Sequence, residues 1–243
     1  MPHSCFFPIP QPKAMRLLVL TALLPFAAPV ARAEDAPDKG GLRDASVTVV
    51  AGYIQGTFKA RNATFGESQQ TDNGHANLNL DYDSHEKAFV RRPMGVGEFI
   101  MGWNFNATIS QFQVNKQLET SAFTGTDEGT SLKGTYAAVG PSAFIRLGPL
   151  YPGTKIFWSF GVGLGVGGTE YSGNAMFGAA PGTILPVKSG GVKPMLYETA
   201  FWKLDVGHVM VLFNSKYLLI RDANLQSSTY ESYGLSVGYR FTF

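Results

Sequence analysis

The chain has 243 residues, of which only 16% are charged, 13% are aromatic and 28 are glycine. That balance favours β structure with close packing over a helical bundle, and no run after residue 33 is apolar over the length a spanning helix needs. The formal charge of +2 includes Lys13, Arg16 and Arg32 of an N-terminal leader; without them it is +2 − 3 = −1, so the precursor pI near 8.6 gives no support to nucleic-acid binding.

Residues 1–33 form that leader. Arg16 opens a charged region, Leu17 to Val30 is apolar but broken by Pro25 and Pro29, and Ala31-Arg32-Ala33 has the A-x-A form of a signal cleavage site. Cleavage at Ala31 and Ala33 leaves Glu34 first in a chain of 243 − 33 = 210 residues, a length suited to one domain. The Pro-rich stretch before Met15 fits a leader poorly, so Met15 is the expected start. Cys5 lies in the leader, which removes disulfides, a thiol nucleophile and Cys-ligated metal from the mature chain.

Residues 34–45 read as a polar lead-in and 46–243 as strands. The first strand, 46–58, puts Val47, Val49, Ala51 and Tyr53 on one face, with Val50 and Ile54 blurring the pattern. A polar loop is expected over 59–75. A second strand begins near Ala76, alternates Leu78, Leu80 and Tyr82 with Asn79, Asp81 and Asp83, and fades toward Val90 before a turn at residues 91–95. The third, 96–112, alternates Phe99, Met101, Trp103 and Phe105 with Glu98, Gly102, Asn104 and Asn106, Ile100 being the exception. After a loop over 113–131, the fourth strand, 132–147, turns Tyr136, Ser142, Phe144 and Arg146 inward, and Pro141 suggests a bulge. The fifth, from Ile156, alternates Trp158, Phe160, Val162, Leu164 and Val166 with Ser159 and a row of glycines. A loop is expected over 169–191. The sixth strand, 192–204, the seventh, 209–220, and the eighth, ending the chain, follow. Connections alternate long and short, as in a barrel with long external loops and short periplasmic turns.

The eighth strand carries the clearest signal. Tyr233, Leu235, Val237, Tyr239, Phe241 and Phe243 share one face; Gly234, Ser236, Gly238, Arg240 and Thr242 share the other. One face suits lipid and the other a polar lumen, whereas a water-soluble barrel would carry charges outside. The terminal Phe243 with Tyr239 and Phe241 resembles the closing strand of small bacterial outer-membrane β-barrel proteins of the OmpA, OmpX and OmpW type. That resemblance implies an all-β fold, an eight-stranded antiparallel up-and-down transmembrane barrel, in the bacterial outer membrane. It also implies outer-membrane lipid and lipopolysaccharide as surroundings and the barrel-assembly machinery as a partner that reads Tyr239, Phe241 and Phe243.

Within this frame, Glu98, Arg146, Lys203 and Arg240 are expected to form an ionic cluster in the lumen at the periplasmic mouth, with Glu98 paired to Arg146. Such a cluster suits a structural network, because buried charges need partners and an eight-stranded barrel is wide enough only to be filled; a gate is the alternative. Tyr151, Trp158, Trp202, Tyr239, Phe241 and Phe243 should make a periplasmic aromatic girdle. Ser84 and His85 are adjacent and would point to opposite strand faces, so they cannot work as nucleophile and base; Asp81, Asp83 and Glu86 read as a solvated acidic loop. No catalytic set, metal site or cofactor motif emerges, since the glycines from Gly161 to Gly168 lie within a strand with no following helix. The expected function is non-enzymatic: structural, or binding an extracellular ligand through the loops. A narrow channel for small or apolar solutes, and a lipid A-modifying enzyme, are the alternatives.

Overall fold

A computed structural model describes residues 42–72, 74–95, 97–114, 116–117, 131–178, 183–222 and 225–243. The leader, with Ala31 and Ala33, lies outside them. Among the described residues there are twelve strands: β1 (Ser46–Asn62), β2 (Gly66–Thr71), β3 (His75–Asp83), β4 (Lys87–Met94), β5 (Gly97–Val114), β6 (Lys116–Gln117), β7 (Ser131–Gly148), β8 (Ile156–Phe177), β9 (Thr183–Lys188), β10 (Lys193–Val206), β11 (Val209–Ile220) and β12 (Ser227–Thr242). Eight of them close an antiparallel ring in the order β1, β3, β5, β7, β8, β10, β11, β12, and β12 pairs back on β1.

The register fixes the shape of the ring. Val47 pairs with Tyr82, and the row continues through Ala107, Val139, Val166, Leu196, Leu219 and Thr229. It returns to β1 at Lys59, twelve residues beyond Val47. Eight strands with that stagger must tilt about 45° from the barrel axis, given strands about 4.8 Å apart and a rise of about 3.3 Å per residue. The resulting barrel has a bore that side chains can fill.

Alternation decides which side chains do so. Even-numbered residues of β1, β5, β7, β11 and β12 face inward, as do odd-numbered residues of β3, β8 and β10. Val50, Ile54 and Ile100, which interrupt the polar rows in the sequence, are buried in the lumen at 0%, 2% and 1% exposure. The glycines of β8 allow inward neighbours to close in: a Cβ on Gly161 would lie 2.1 Å from the Phe201 ring. Pro141 produces no bulge toward β5, where Asn104, Phe105 and Asn106 pair with Ser142, Pro141 and Gly140 in unbroken register. Its missing N–H is felt on the other side, where the β7–β8 pairing passes over Gly140 and Pro141 without a change of register.

The expected loops over 59–75 and 169–191 are largely strand. β1 and β8 run past the apolar band, and β2 and β9 fold back on them as hairpins. Polar outward residues hide such strands from a periodicity argument, because backbone pairing asks for no apolar face. The two hairpins meet: the Gln70 side-chain amide donates to the Asn174 carbonyl at 2.8 Å, and the Gly178 N–H donates to the Glu67 carbonyl at 3.1 Å. The second strand does not simply fade; it breaks. β3 stops at Asp83, opposite Ser46 where β1 begins, and β4 resumes at Lys87 against β5 alone as far as Met94.

The outer surface is the reverse of a soluble protein's. Leu78, Val162, Leu164 and Leu235 are each more than half exposed, within a continuous apolar belt. On β8 the belt runs from Ile156 to Val166. Ten residue steps of about 3.3 Å at this tilt rise about 23 Å, matching the apolar band of a membrane barrel. The belt is the lipid contact, and the protein is a membrane-spanning β-barrel. No helix among the described residues is long and apolar enough to cross a membrane.

Candidate functional site in the barrel lumen

The lumen is layered. At the end where β1 begins and β12 finishes, four cations and three carboxylates converge. Arg146 is clamped by both oxygens of Glu86, with side chains 3% and 6% exposed. Its Nε donates to Ser159 Oγ at 3.2 Å, and its guanidinium lies 4.8 Å from the Phe144 ring centroid. Arg43 Nη2 donates to Asp205 Oδ2 at 2.6 Å, and Arg240 Nη2 approaches Oδ1 at 2.8 Å. The Arg240 contact is an ion pair by distance, although Oδ1 accepts no well-directed hydrogen bond. Lys203 Nζ stands 3.7 Å from Asp83 Oδ2 and 4.5 Å from the Phe201 centroid.

Two backbone features build this cluster. The break at residues 84–86 turns Glu86 across the mouth, where its N–H donates to the Arg43 carbonyl at 3.0 Å. The lead-in residue Arg43 answers by donating its own N–H to Glu86 Oε2 at 3.1 Å. Each buried charge thereby gains the partner that burial demands.

The expected members are placed differently. Arg146, Lys203 and Arg240 belong to the cluster. Glu98 does not: it pairs with Arg91 at 2.7 Å on the β4–β5 hairpin, 32% exposed. The reason is length, since β4 continues beyond the ring and supplies a cation beside Glu98 before the lumen begins. The acids of Arg146 and Arg240 are Glu86 and Asp205, the first expected in a solvated loop and the second just beyond the sixth strand. Nor is 81–86 a solvated acidic loop: Asp81 accepts from Thr108 Oγ1 at 2.6 Å, Asp83 from Asn104 Nδ2 at 3.1 Å, and Glu86 is buried. A signal was available, because an acid at an inward parity on a lipid-flanked strand must find a partner; Asp205 has that parity.

Above the ions lies a layer of neutral hydrogen bonds. Asn77 Nδ2 donates to Ser110 Oγ at 3.1 Å, Ser110 bonds Asn79, and Ser142 bonds Asn104. Lys216, buried at 5% exposure, donates to Tyr136 Oη at 3.1 Å. Higher still, an aromatic plug fills the bore. Phe58, Phe112, Leu132, Tyr136, Leu218 and Tyr230 are all 2% exposed or less, and Phe112 stacks on Tyr230 with centroids 4.6 Å apart. A space of about 20 Å³ lies among the ions, room for about one water.

Beyond the membrane-spanning part, the Tyr171 hydroxyl donates to Asp222 Oδ2 at 2.5 Å, and Lys193 lies 3.5 Å from Oδ1. Burial first, then the adjacent carboxylate, raise the Tyr171 phenol above its ordinary value.

No catalytic arrangement emerges from the sequence's candidates. Ser84 Oγ accepts the Phe105 N–H at 2.9 Å, and His85 lies 3.6 Å from Asp44 on an exposed surface. His75, half-buried, meets the buried Asp72 at 2.5 Å and helps hold the β1–β2 hairpin, with Asp72 Oδ1 accepting N–H groups from Gly56 and Gly74. No group of three or more His, Cys, Asp or Glu with metal-binding geometry occurs among the described residues.

Outside, Trp158, Trp202, Tyr239 and Phe241 lie toward the ionic end of the wall, and Phe243 closes the seam by donating its N–H to the Ala45 carbonyl at 3.1 Å. Trp158 packs on Phe160 at 4.9 Å and Tyr239 on Phe241 at 4.9 Å; Tyr151 sits 63% exposed in the turn below. Trp103, packed on Phe105 at 5.5 Å, joins them. A second set, Tyr53, Tyr217 and Tyr233, faces outward toward the opposite end, where Tyr233 Oη donates to Gln55 Oε1 at 2.8 Å.

No family model and no curated protein matches the chain. Among solved structures it is similar to Ail, the attachment invasion locus protein of Yersinia pestis, at 14% identity over 82% of this chain and 99% of Ail, with a TM-score of 0.37. It is also similar to the outer membrane protease OmpT from Escherichia coli, at 8% identity over 82% of this chain and 97% of OmpT, with a TM-score of 0.38. At such scores the activities of those proteins do not carry over, and the architecture rests on the strand pairing itself: a closed, eight-stranded antiparallel barrel.

Proposed function

We propose that this protein is a non-enzymatic, non-conducting barrel of the bacterial outer membrane that presents a β-structured platform to the cell exterior. The observation that carries the proposal is the filled bore. Salt-bridged ions at one end, hydrogen-bonded amides in the middle and stacked aromatics at the other fill it, and the space among the ions is about 20 Å³. A solute path needs a continuous opening, and a bore packed in this way works as a core.

In this reading the ionic end faces the periplasm and the hairpin end faces outward. The paired β1–β2 and β8–β9 extensions supply a rigid base from which an extracellular ligand is bound, rather than loose loops. Cleavage after Ala33 releases the chain from its signal peptide, and the Phe243 strand is read during assembly. The protonated Tyr171 and its Asp222 partner support the base of the platform.

The test is conductance of the refolded chain from residue 34 onward in planar bilayers, with folding checked by heat-dependent gel mobility. A silent bilayer is expected. Stable, reproducible steps that change when Glu86 or Arg146 is neutralised would make the ionic cluster a gate and refute the closed-bore reading.

A further inference from the structure

Two cationic donors at the ionic end lack an acceptor of their own. Arg240 is 4% exposed, and its Nε makes no hydrogen bond among the described residues. Lys203, with its side chain 17% exposed, approaches Asp83 at 3.7 Å, too far for a hydrogen bond, and lies over the Phe201 ring. Both residues border the space of about 20 Å³ among the ions.

The acids beside that space are directed elsewhere. Glu86 turns both oxygens to Arg146, Asp205 is shared by Arg43 and Arg240, and Asp83 Oδ1 accepts from Asn104 at 3.1 Å. Asp44, at the rim of the same space, is nearly half exposed and lies beside His85. Behind that rim, Arg43, Arg146, Lys203 and Arg240 stand against Asp83, Glu86 and Asp205, so 4 − 3 = 1 positive charge is left over. A buried charge without a partner is costly, and a low dielectric strengthens its attraction for a counter-ion. A space of this size admits one water or one atom little larger. Phosphate, sulfate and carboxylates do not fit it; a monatomic anion does, and it accepts from both donors at once.

We infer that the ionic end is a binding site for one small halide ion, chloride in a physiological medium, held between Lys203 Nζ and Arg240 Nε. The ion balances the charge that the three carboxylates leave over. The inference rests on the closed-bore reading for its dry surroundings, but the two have separate readouts. A silent barrel indifferent to chloride keeps the closed bore and loses the site; a conducting barrel that responds to chloride does the reverse.

The test is reversible urea unfolding of the chain from residue 34 onward in lipid vesicles, with chloride replaced stepwise by gluconate at constant ionic strength. Gluconate is too large for the space. Chloride should stabilise the fold along a saturating curve: a site half-filled at about 10 mM shifts the folding equilibrium about thirtyfold at about 0.3 M, by mass action. Lys203→Met, which leaves the Glu86 and Asp205 pairs in place, should flatten that curve. Crystals of the wild-type barrel grown in bromide should show one anomalous peak between Lys203 and Arg240, a readout that needs no variant to fold. An equilibrium that is the same in chloride and gluconate, a chloride response that persists in Lys203→Met, or bromide crystals without that peak overturns the site and leaves the space to a water.

Discussion

The sharpest consequence of the ion pairing concerns two glutamates that look alike in sequence. Glu86 clamps Arg146 with both side chains nearly inaccessible, at 6% and 3% exposure. Glu98 meets Arg91 at 2.7 Å with both side chains about a third exposed. Removing one partner of a buried pair leaves an uncompensated charge and costs about 3–5 kcal/mol. Removing a partner from an exposed pair costs about 0–1 kcal/mol. Glu86→Gln should therefore shift the folding equilibrium by about a hundredfold to several thousandfold, whereas Glu98→Gln should leave it almost unchanged. Replacing Glu86 and Arg146 together by leucine should recover much of the loss, because the charge leaves with its partner. The assay is reversible urea unfolding of the barrel in lipid vesicles, followed by tryptophan emission, with wild type and all variants in the same bilayer. Equal losses for Glu86→Gln and Glu98→Gln would refute the assignment, since they would mean that the mouth is wet and Glu86 has no special environment.

Other outcomes follow from the layers above and below. Tyr230→Ala should cost about 3–5 kcal/mol by opening a cavity against Phe112, read by the same unfolding assay. The raised Tyr171 phenol is neutral in the fold and ionises more readily in the unfolded chain. The stability it contributes is complete below the ordinary phenol range and is lost as pH rises above about 10; a Tyr171→Phe barrel, compared from pH 8 to 11, should lose less. Deleting Phe243 should lower the yield of assembled barrel in cells more than it lowers the stability of barrel refolded in vitro, measured by gel mobility of membrane fractions. Mass analysis of protein recovered from membranes should show Glu34 as the first residue.

How legible the fold was depended on which force placed each residue. Where lipid lies on one side and a filled bore on the other, side chains alternate by necessity. β5, β7, β8 and β12 were therefore readable directly, and Val50 and Ile54 blurred β1 only because a lumen can be apolar too. The extensions were missed because β2 and β9 are held by backbone pairing and by contacts such as Gln70 with Asn174, which impose no hydrophobic period.

By itself the sequence determined the barrel, its inward and outward faces and the presence of inward-pointing Arg146, Lys203 and Arg240, since all of these follow from local alternation. Only the tertiary structure decided their partners. Pairing across the bore depends on the stagger of twelve residues around the ring, on the break that turns Glu86 inward and on the lead-in that carries Arg43 to Asp205. Each of these is a long-range consequence of closing the sheet, and side-chain periodicity along one strand holds no information about it.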